Sequence, residues 1–391
     1  MKLSLKSITI GLLTIALYFF NSYELKANSK KETIITKRIP PLEKSKNNTV
    51  KIALLLDTSN SMDGLINQAK SQLWDIVNEF TNAECQNKIR PELQIAIYQY
   101  GNDHLSSREG YIQQVLNFSN DLDEISEKLF SLSTNGGEEY CGQVIQTSLN
   151  QLDWGKNPDN LKMIFIAGNE PFDQGHLNFK DAATNAKEKN VIVNTIYCGG
   201  YEEGIQTHWK EGARLTAGEY MAIDHNREVV QISTPYDDII IKLNSKLNKT
   251  YISYGSLGIT KMEMQITQDD NAMALEEVVA VKRAVSKSSR LYNNKHWDLV
   301  DASKEKDFDV SEIKPEALPK ELKGKSKKEI ESFITNKATE RNEIQNEIQE
   351  LNRKREAYIA KNKSEENNGE LESAMLKAIK RQASAKNYIW K

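Results

Sequence analysis

The clearest chemistry in the chain lies in five consecutive residues, Asp57-Thr58-Ser59-Asn60-Ser61. A carboxylate and two hydroxyls stand there at alternate positions, Asp57, Ser59 and Ser61. All three are hard oxygen donors. They suit Mg²⁺, a small ion that takes six oxygens in octahedral array and keeps several of its waters. Residues 51–56 immediately before are an apolar run, read as a strand buried on both faces. Leu65, Ala69, Leu73, Ile76, Val77 and Phe80 after them recur at helical spacing. The five residues therefore form a loop at the carboxyl end of a strand, steadied by the amides of a helix that starts near Asp63 or Gly64.

The elements around that loop alternate. Strands are expected over residues 93–100, 112–118, 162–167, 191–198 and 219–223. Helices are expected over 122–132, 144–152, 182–189, 209–215 and 236–247. Strand and helix in alternation specify an open sheet with helices on both faces. The short connection between 93–100 and 112–118 argues for one antiparallel edge strand. The expected fold is thus α/β, a doubly wound, mostly parallel sheet. Ligands bind outside the carboxyl ends of the strands in such sheets, so the loops after Leu56, Leu132 and Ala167 are the ones to search.

Here the sequence resembles the von Willebrand factor A domain family over about residues 50–247. The resemblance rests on IALLLDTSNSM, STNGGEEYCGQVI, MIFIAGNEPF and VNTIYCGG. It implies that Asp57, Ser59 and Ser61 begin a metal-ion-dependent adhesion site, to which the family adds a Thr and then an Asp from two later loops. This chain departs from the pattern at both. Glu138 stands where the Thr would follow the glycine pair, with Thr134 as a substitute four residues earlier. Gly168 stands where the Asp would be, followed by Asn169, Glu170 and Asp173. A carboxylate at Glu138 could bind the ion directly, and the Asn169 amide could hold a bound water. The family's mode of action implies a protein partner whose acidic group fills the metal's open position. No catalysis is expected of it. A scaffold with a vestigial site and a helix-mediated interaction is one alternative. Phosphate-ester hydrolysis is another, but it needs a second Asp where Ser59 stands, and a serine cannot serve as the general acid.

The rest of the chain frames this domain. Lys2 and Lys6 precede an apolar run over about residues 8–20, too short to span a membrane comfortably. Residues 1–27 read as a signal peptide or an N-terminal anchor, so the expected location is periplasmic, cell-envelope or secreted. A membrane is involved only if that segment is retained. Residues 28–49 read as a polar linker. The formal net charge of −3 supplies no basic excess for binding phosphates, so nucleic acid is not an expected partner. An exported chain can keep disulfides. Cys141 and Cys198 both fall at the upper edge of the expected sheet, either bridged or as buried thiols, with Cys85 left free. Residues 248–391 read as a helical extension. One helix is expected over 273–289, a long one over 326–362 and a last one over 371–390. The long helix carries Ile330, Ile334, Ile344, Ile348, Leu351 and Tyr358 at alternating three-four spacing, with Lys337, Arg341 and Arg355 in the same seam. That is a partial coiled-coil pattern, able to self-associate or to lie on the domain.

Overall fold

The structure, a computed structural model, describes residues 48–60, 62–85, 89–223, 232–362 and 370–390. Ser61, the segment read as a signal and most of the linker lie outside the described residues. Lys46–Lys391 form one compact unit.

The chain begins with β1 (Thr49–Asp57) and α1 (Asp63–Thr81), then a short β2 (Ala83–Glu84), β3 (Glu92–Tyr100) and β4 (Ile112–Ser119). α2 (Leu122–Phe130), α3 (Cys141–Gln151), β5 (Leu161–Gly168), α4 (Phe179–Glu188) and β6 (Ile192–Cys198) follow. Next come α5 (Tyr201–Gln206), α6 (Trp209–Arg214), β7 (Tyr220–Ile223) and α7 (Asp237–Asn248). The main sheet has the order β4-β3-β1-β5-β6-β7, with β4 antiparallel and the other neighbours parallel. The alternation along β1 explains its central place. Ile52, Leu54 and Leu56 enter one core and Ala53 and Leu55 the other, so the strand is apolar on both faces, as a central parallel strand must be.

Beyond α7 run α8 (Gly258–Leu275), α9 (Glu277–Lys287), α10 (Leu299–Ala302), α11 (Lys327–Asn362), α12 (Glu370–Ser384) and β8 (Ile389–Trp390). The single helix expected over 273–289 is two. Glu276 is extended, with φ −169° and ψ 143°, and no Gly or Pro announces the break. The break lets α9 run in a new direction against α1 and α7. From Val278 to Lys287 every residue of α9 is buried, and its charges are paired internally. Arg283 bonds Asp123 and Asp269 at 2.7 and 2.6 Å, and Lys282 bonds Asp75 at 2.7 Å. The helix expected over 371–390 also ends early, at Ser384. Asn387 turns the chain at φ 61°, a conformation Asn tolerates, and β8 pairs antiparallel with β2.

The long helix begins where expected, with a capping box. Ser326 Oγ accepts from the Glu329 backbone N–H at 3.4 Å, and Glu329 Oε2 accepts from the Ser326 N–H at 2.8 Å. Its seam does not stand free to pair with a second copy. It lies on the chain's own body, packed against α7, α9 and α10. Ile344 and Ile348 join the main core, and Ile330 and Ile334 join a smaller core with Ile252, Leu299 and Leu322. The two arginines that break the seam's apolar pattern are its anchors, Arg341 on Asp298 at 2.6 Å and Arg355 on Asp237 at 3.0 Å.

Candidate functional site

Strand register sets the floor of the site. Asp57 is paired with Tyr100 at the end of β3, and Leu56 with Ala167 at the end of β5, so Gly168 lies beside Asp57. Glycine at two of these ends gives the carboxylate its room. A Cβ on Gly101, which sits at φ +76°, would come within 2.7 Å of Glu139 Cγ and 2.9 Å of Asp57 Oδ1. A Cβ on Gly168 would meet the Tyr100 hydroxyl at 2.5 Å and Asp57 Oδ2 at 3.1 Å. The same two measurements place Glu139 against one side of Asp57 and Tyr100 against the other.

The loop is held by backbone bonds. The Thr58 N–H donates to Tyr100 O at 2.9 Å, and the Asn135 N–H to Thr58 O at 2.9 Å. The Asn102 amide donates to Ser133 O at 3.0 Å, tying the β3 loop to the loop before α3. Asp57 Oδ1 accepts from the Ser59 N–H at 2.7 Å. Asp57, Ser59 and Glu139 are 0, 6 and 4 % exposed. Asp57 Oδ2, Ser59 Oγ and Glu139 Oε2 are nevertheless buried without a hydrogen-bond partner, as is Asn169 Oδ1 one residue past Gly168. The two carboxyls and the Ser59 hydroxyl influence one another's ionisation. Burial pushes Asp57 up to about 6, and burial reinforced by the Asp57 charge pushes Glu139 up to about 10. Among the described residues, no group of three or more His, Cys, Asp or Glu side chains is placed to hold a metal ion. Any cation here would be held by a mixed set of carboxylates, hydroxyl and amide, and the four unpartnered buried oxygens are such a set.

The second carboxylate is thus Glu139, not the Glu138 expected from the glycine pair. Glu138 is exposed and accepts from the Gln174 amide at 3.5 Å. Gly137 packs so tightly on Gly101, where a Cβ would lie 2.7 Å from the carbonyl oxygen, that the next side chain turns outward and the one after it inward. The Thr134 hydroxyl donates to Asp63 Oδ1 at 2.6 Å, which leaves its oxygen lone pairs free. Cys141 and Cys198 are free thiols, as is Cys85. They cannot be bridged, because Cys198 belongs to the core on one face of the sheet and Cys141 to the core on the other. Tyr98, Tyr100 and Phe172 are buried packing residues. The half-buried Tyr140 and Tyr111 and the exposed His176 form an aromatic wall, at ring distances of 6.3 and 6.5 Å from Tyr140.

A metal-type loop at the carboxyl edge of this doubly wound sheet defines the class. Residues 51–216 match the von Willebrand factor type A domain, and the chain carries that domain. Such domains serve in general as interaction modules. Three similar solved structures are BatB from Bacteroides thetaiotaomicron, described as a conserved hypothetical protein, the VWA domain of SpRpn10, and proximal thread matrix protein 1 from the mussel byssus. BatB is 17% identical, over 45% of this chain and 90% of its own, with a TM-score of 0.34. The SpRpn10 domain is 15% identical, over 45% and 88%, with a TM-score of 0.34. The mussel protein, in a form with a zinc-occupied MIDAS motif, is 12% identical, over 46% of this chain and 43% of its own, with a TM-score of 0.35. The match therefore spans less than half of the mussel protein. No curated protein matches the chain.

Proposed function

We propose that this is an exported binding module. Its Asp57–Glu139 edge holds a hard divalent cation, Mg²⁺ being the first choice, and through it engages a group of a partner protein. One observation carries the reading. Among the described residues, the buried carboxylates elsewhere each face a cation. Glu84 faces Arg90, Asp123 faces Arg283, Asp237 faces Arg355, and Asp298 and Asp301 face Arg341. Asp57 and Glu139 have no lysine or arginine beside them among the described residues; their neighbours are each other and Ser59. Burying a carboxylate without a positive partner is costly enough that the group takes up a proton or a metal, and a pair supplies both charges that a divalent ion needs. Asp57, Ser59, Glu139 and Asn169 would hold it, with Ser61 from the same loop. The bound ion would supply an electrophilic position facing outward, while the chain's own residues fix that position and keep the oxygens out of competing hydrogen bonds. Lys2 and Lys6 ahead of the apolar run at about residues 8–20 support export.

The test is thermal unfolding with and without Mg²⁺. A ligand at a hundredfold excess over its Kd stabilises the folded state by about 2.7 kcal/mol, a shift of several degrees. We expect that shift in the wild type and its loss in Asp57→Ala and Glu139→Gln. No shift in the wild type with Mg²⁺, Mn²⁺, Ca²⁺ or Zn²⁺ would overturn the proposal.

A further inference from the structure

Taking the carboxyl edge as the binding edge, as proposed above, we infer that the surface it accepts is basic, an arginine- and lysine-bearing segment rather than an acidic one. Charge is the first ground. Around the buried Asp57 and Glu139 stand Asp103, Glu138, Glu170 and Asp173. Asp103 Oδ2 lies 3.6 Å from where a Cβ on Gly136 would be, Glu138 is next to Glu139, and Glu170 directly follows Asn169 at the end of β5. Asp173 has only His208 for a partner, at 3.8 Å. Among the described residues, none of these four is ion-paired with a lysine or arginine. The loops at residues 58–62, 101–111, 131–140, 169–178 and 199–208 contain a single such cation, Arg108. One divalent ion neutralises the inner pair and leaves the outer four uncompensated. A partner offering an oxygen to the ion must cross that negative rim, so the side chains flanking its oxygen need positive charge.

The second ground is shape. Tyr140 lies directly after the glutamates, half-buried, and forms with Tyr111 and His176 an aromatic wall beside Glu138. Glu138 stands two residues before Tyr140 in the same loop. A guanidinium or ammonium group stacks on an aromatic face while pairing with an adjacent carboxylate. Among the described residues, no cation of the chain lies over either tyrosine, although seven such contacts occur elsewhere. No cation of the described chain therefore occupies the wall.

The experiment uses the full chain and two short fluorescent peptides of equal length, one of arginine, lysine and glycine, the other of glutamate, aspartate and glycine. Binding is followed by anisotropy with and without Mg²⁺ and at two salt concentrations. The basic peptide should bind at least about tenfold tighter in both series and weaken as salt screens the rim. Glu138→Gln/Asp173→Asn should weaken it severalfold and Tyr140→Leu about two- to fivefold, all with the Mg²⁺ thermal shift intact. The control pair Glu321→Gln/Glu331→Gln, on exposed residues away from the site, should change nothing. Equal or tighter binding of the acidic peptide, or rim variants that bind the basic peptide like wild type, would overturn the inference. A missing Mg²⁺ shift together with an intact basic preference would instead strike only the metal reading.

Discussion

Replacing Arg341 by methionine tests whether the C-terminal helices belong to the domain. The guanidinium is buried and donates to Asp298 at 2.6 and 3.1 Å, to Asp301 at 3.2 Å, and to Thr250 Oγ1 and O at 3.0 and 2.8 Å. It also lies 3.9 Å above the Tyr251 ring. Methionine keeps much of the length and removes the charge. Two carboxylates, Asp298 wholly buried and Asp301 nearly so, then face each other with only Lys304 nearby, at 2.9 Å from Asp301. Breaking a buried pair by deleting one partner costs about 3–5 kcal/mol. We expect Arg341→Met to lose that much in urea unfolding, at unchanged m-value. Adding Asp298→Asn should recover part of the loss, because the orphaned charge goes. Lys337→Met, at a seam position whose lysine pairs only with exposed Glu340, should stay within about 0.5 kcal/mol of wild type. If α11 were a free helix awaiting a second copy, all three seam positions would be equivalent and cheap. A loss under about 1 kcal/mol for Arg341→Met would refute the anchoring argument.

Three further outcomes follow from the site. Burial and their mutual repulsion push the coupled Asp57–Glu139 pair up when folded, to about 6 and about 10, above the unfolded values. The metal-free protein therefore has its full share of this stability below pH about 4 and loses it as pH rises through 6 towards 10. Between about pH 6 and 10 a bound ion must displace the proton on Glu139, so Mg²⁺ affinity should rise about tenfold per pH unit there; calorimetry at several pH values would show a flat profile if the pair were not the site. Burial raises all three thiols, so a thiol reagent should find none in the native chain and three after unfolding without reductant. Finding only one would mean that a bridge exists. Gly168→Asp, which restores the acid expected at that strand end, should destabilise the metal-free protein by about 1–3 kcal/mol through overpacking against Tyr100, as read by chemical unfolding. A neutral result would mean that Tyr100 moves aside.

The sheet, its antiparallel edge and the strand-to-helix loop at Asp57 were legible because each rests on local signals: apolar runs, a short connection, and an apolar run that gives way to helical spacing. What escaped depended on packing between distant loops. That Glu139 rather than Glu138 turns inward follows from Gly137 lying on Gly101, a contact across 36 residues that no periodicity reports. The alternation itself was a usable signal. In an extended segment, fixing which way one residue faces fixes its neighbour too. The thiols were placed at the same edge of the sheet, but their faces were not read, and the face decides bridging. The break at Glu276 has no Gly or Pro to mark it. The leaky seam of α11 was visible in the sequence, but an arginine in an apolar stripe has two explanations there, a weak coiled coil or a buried salt bridge. Only the positions of Asp298 and Asp237 choose between them.

Those same acids explain why the binding edge can be distinguished at all. Asp123, Asp237, Asp298 and Asp301 are as deeply buried as Asp57. Burial alone therefore does not mark a functional carboxylate, and neither does a displaced ionisation. The difference lies in where the countercharge comes from. Arg283 and Arg355, which neutralise Asp123 and Asp237 of the domain, lie beyond residue 248, so the C-terminal helices supply the cations for those two acids, while Arg341 pairs with Asp298 and Asp301 inside the extension itself. None of those anchors is placed on the carboxyl edge of the sheet. Asp57 and Glu139 are left with compensating charge that must arrive from solution, as a proton or as a metal ion. Truncating the chain after α7 should on this account destroy the helical face first, by exposing its core and stranding Asp123 and Asp237, while the loop at Asp57 keeps the strand pairing of β1 with β3 and β5. An isolated domain that folds as stably as the full chain would contradict that division of labour.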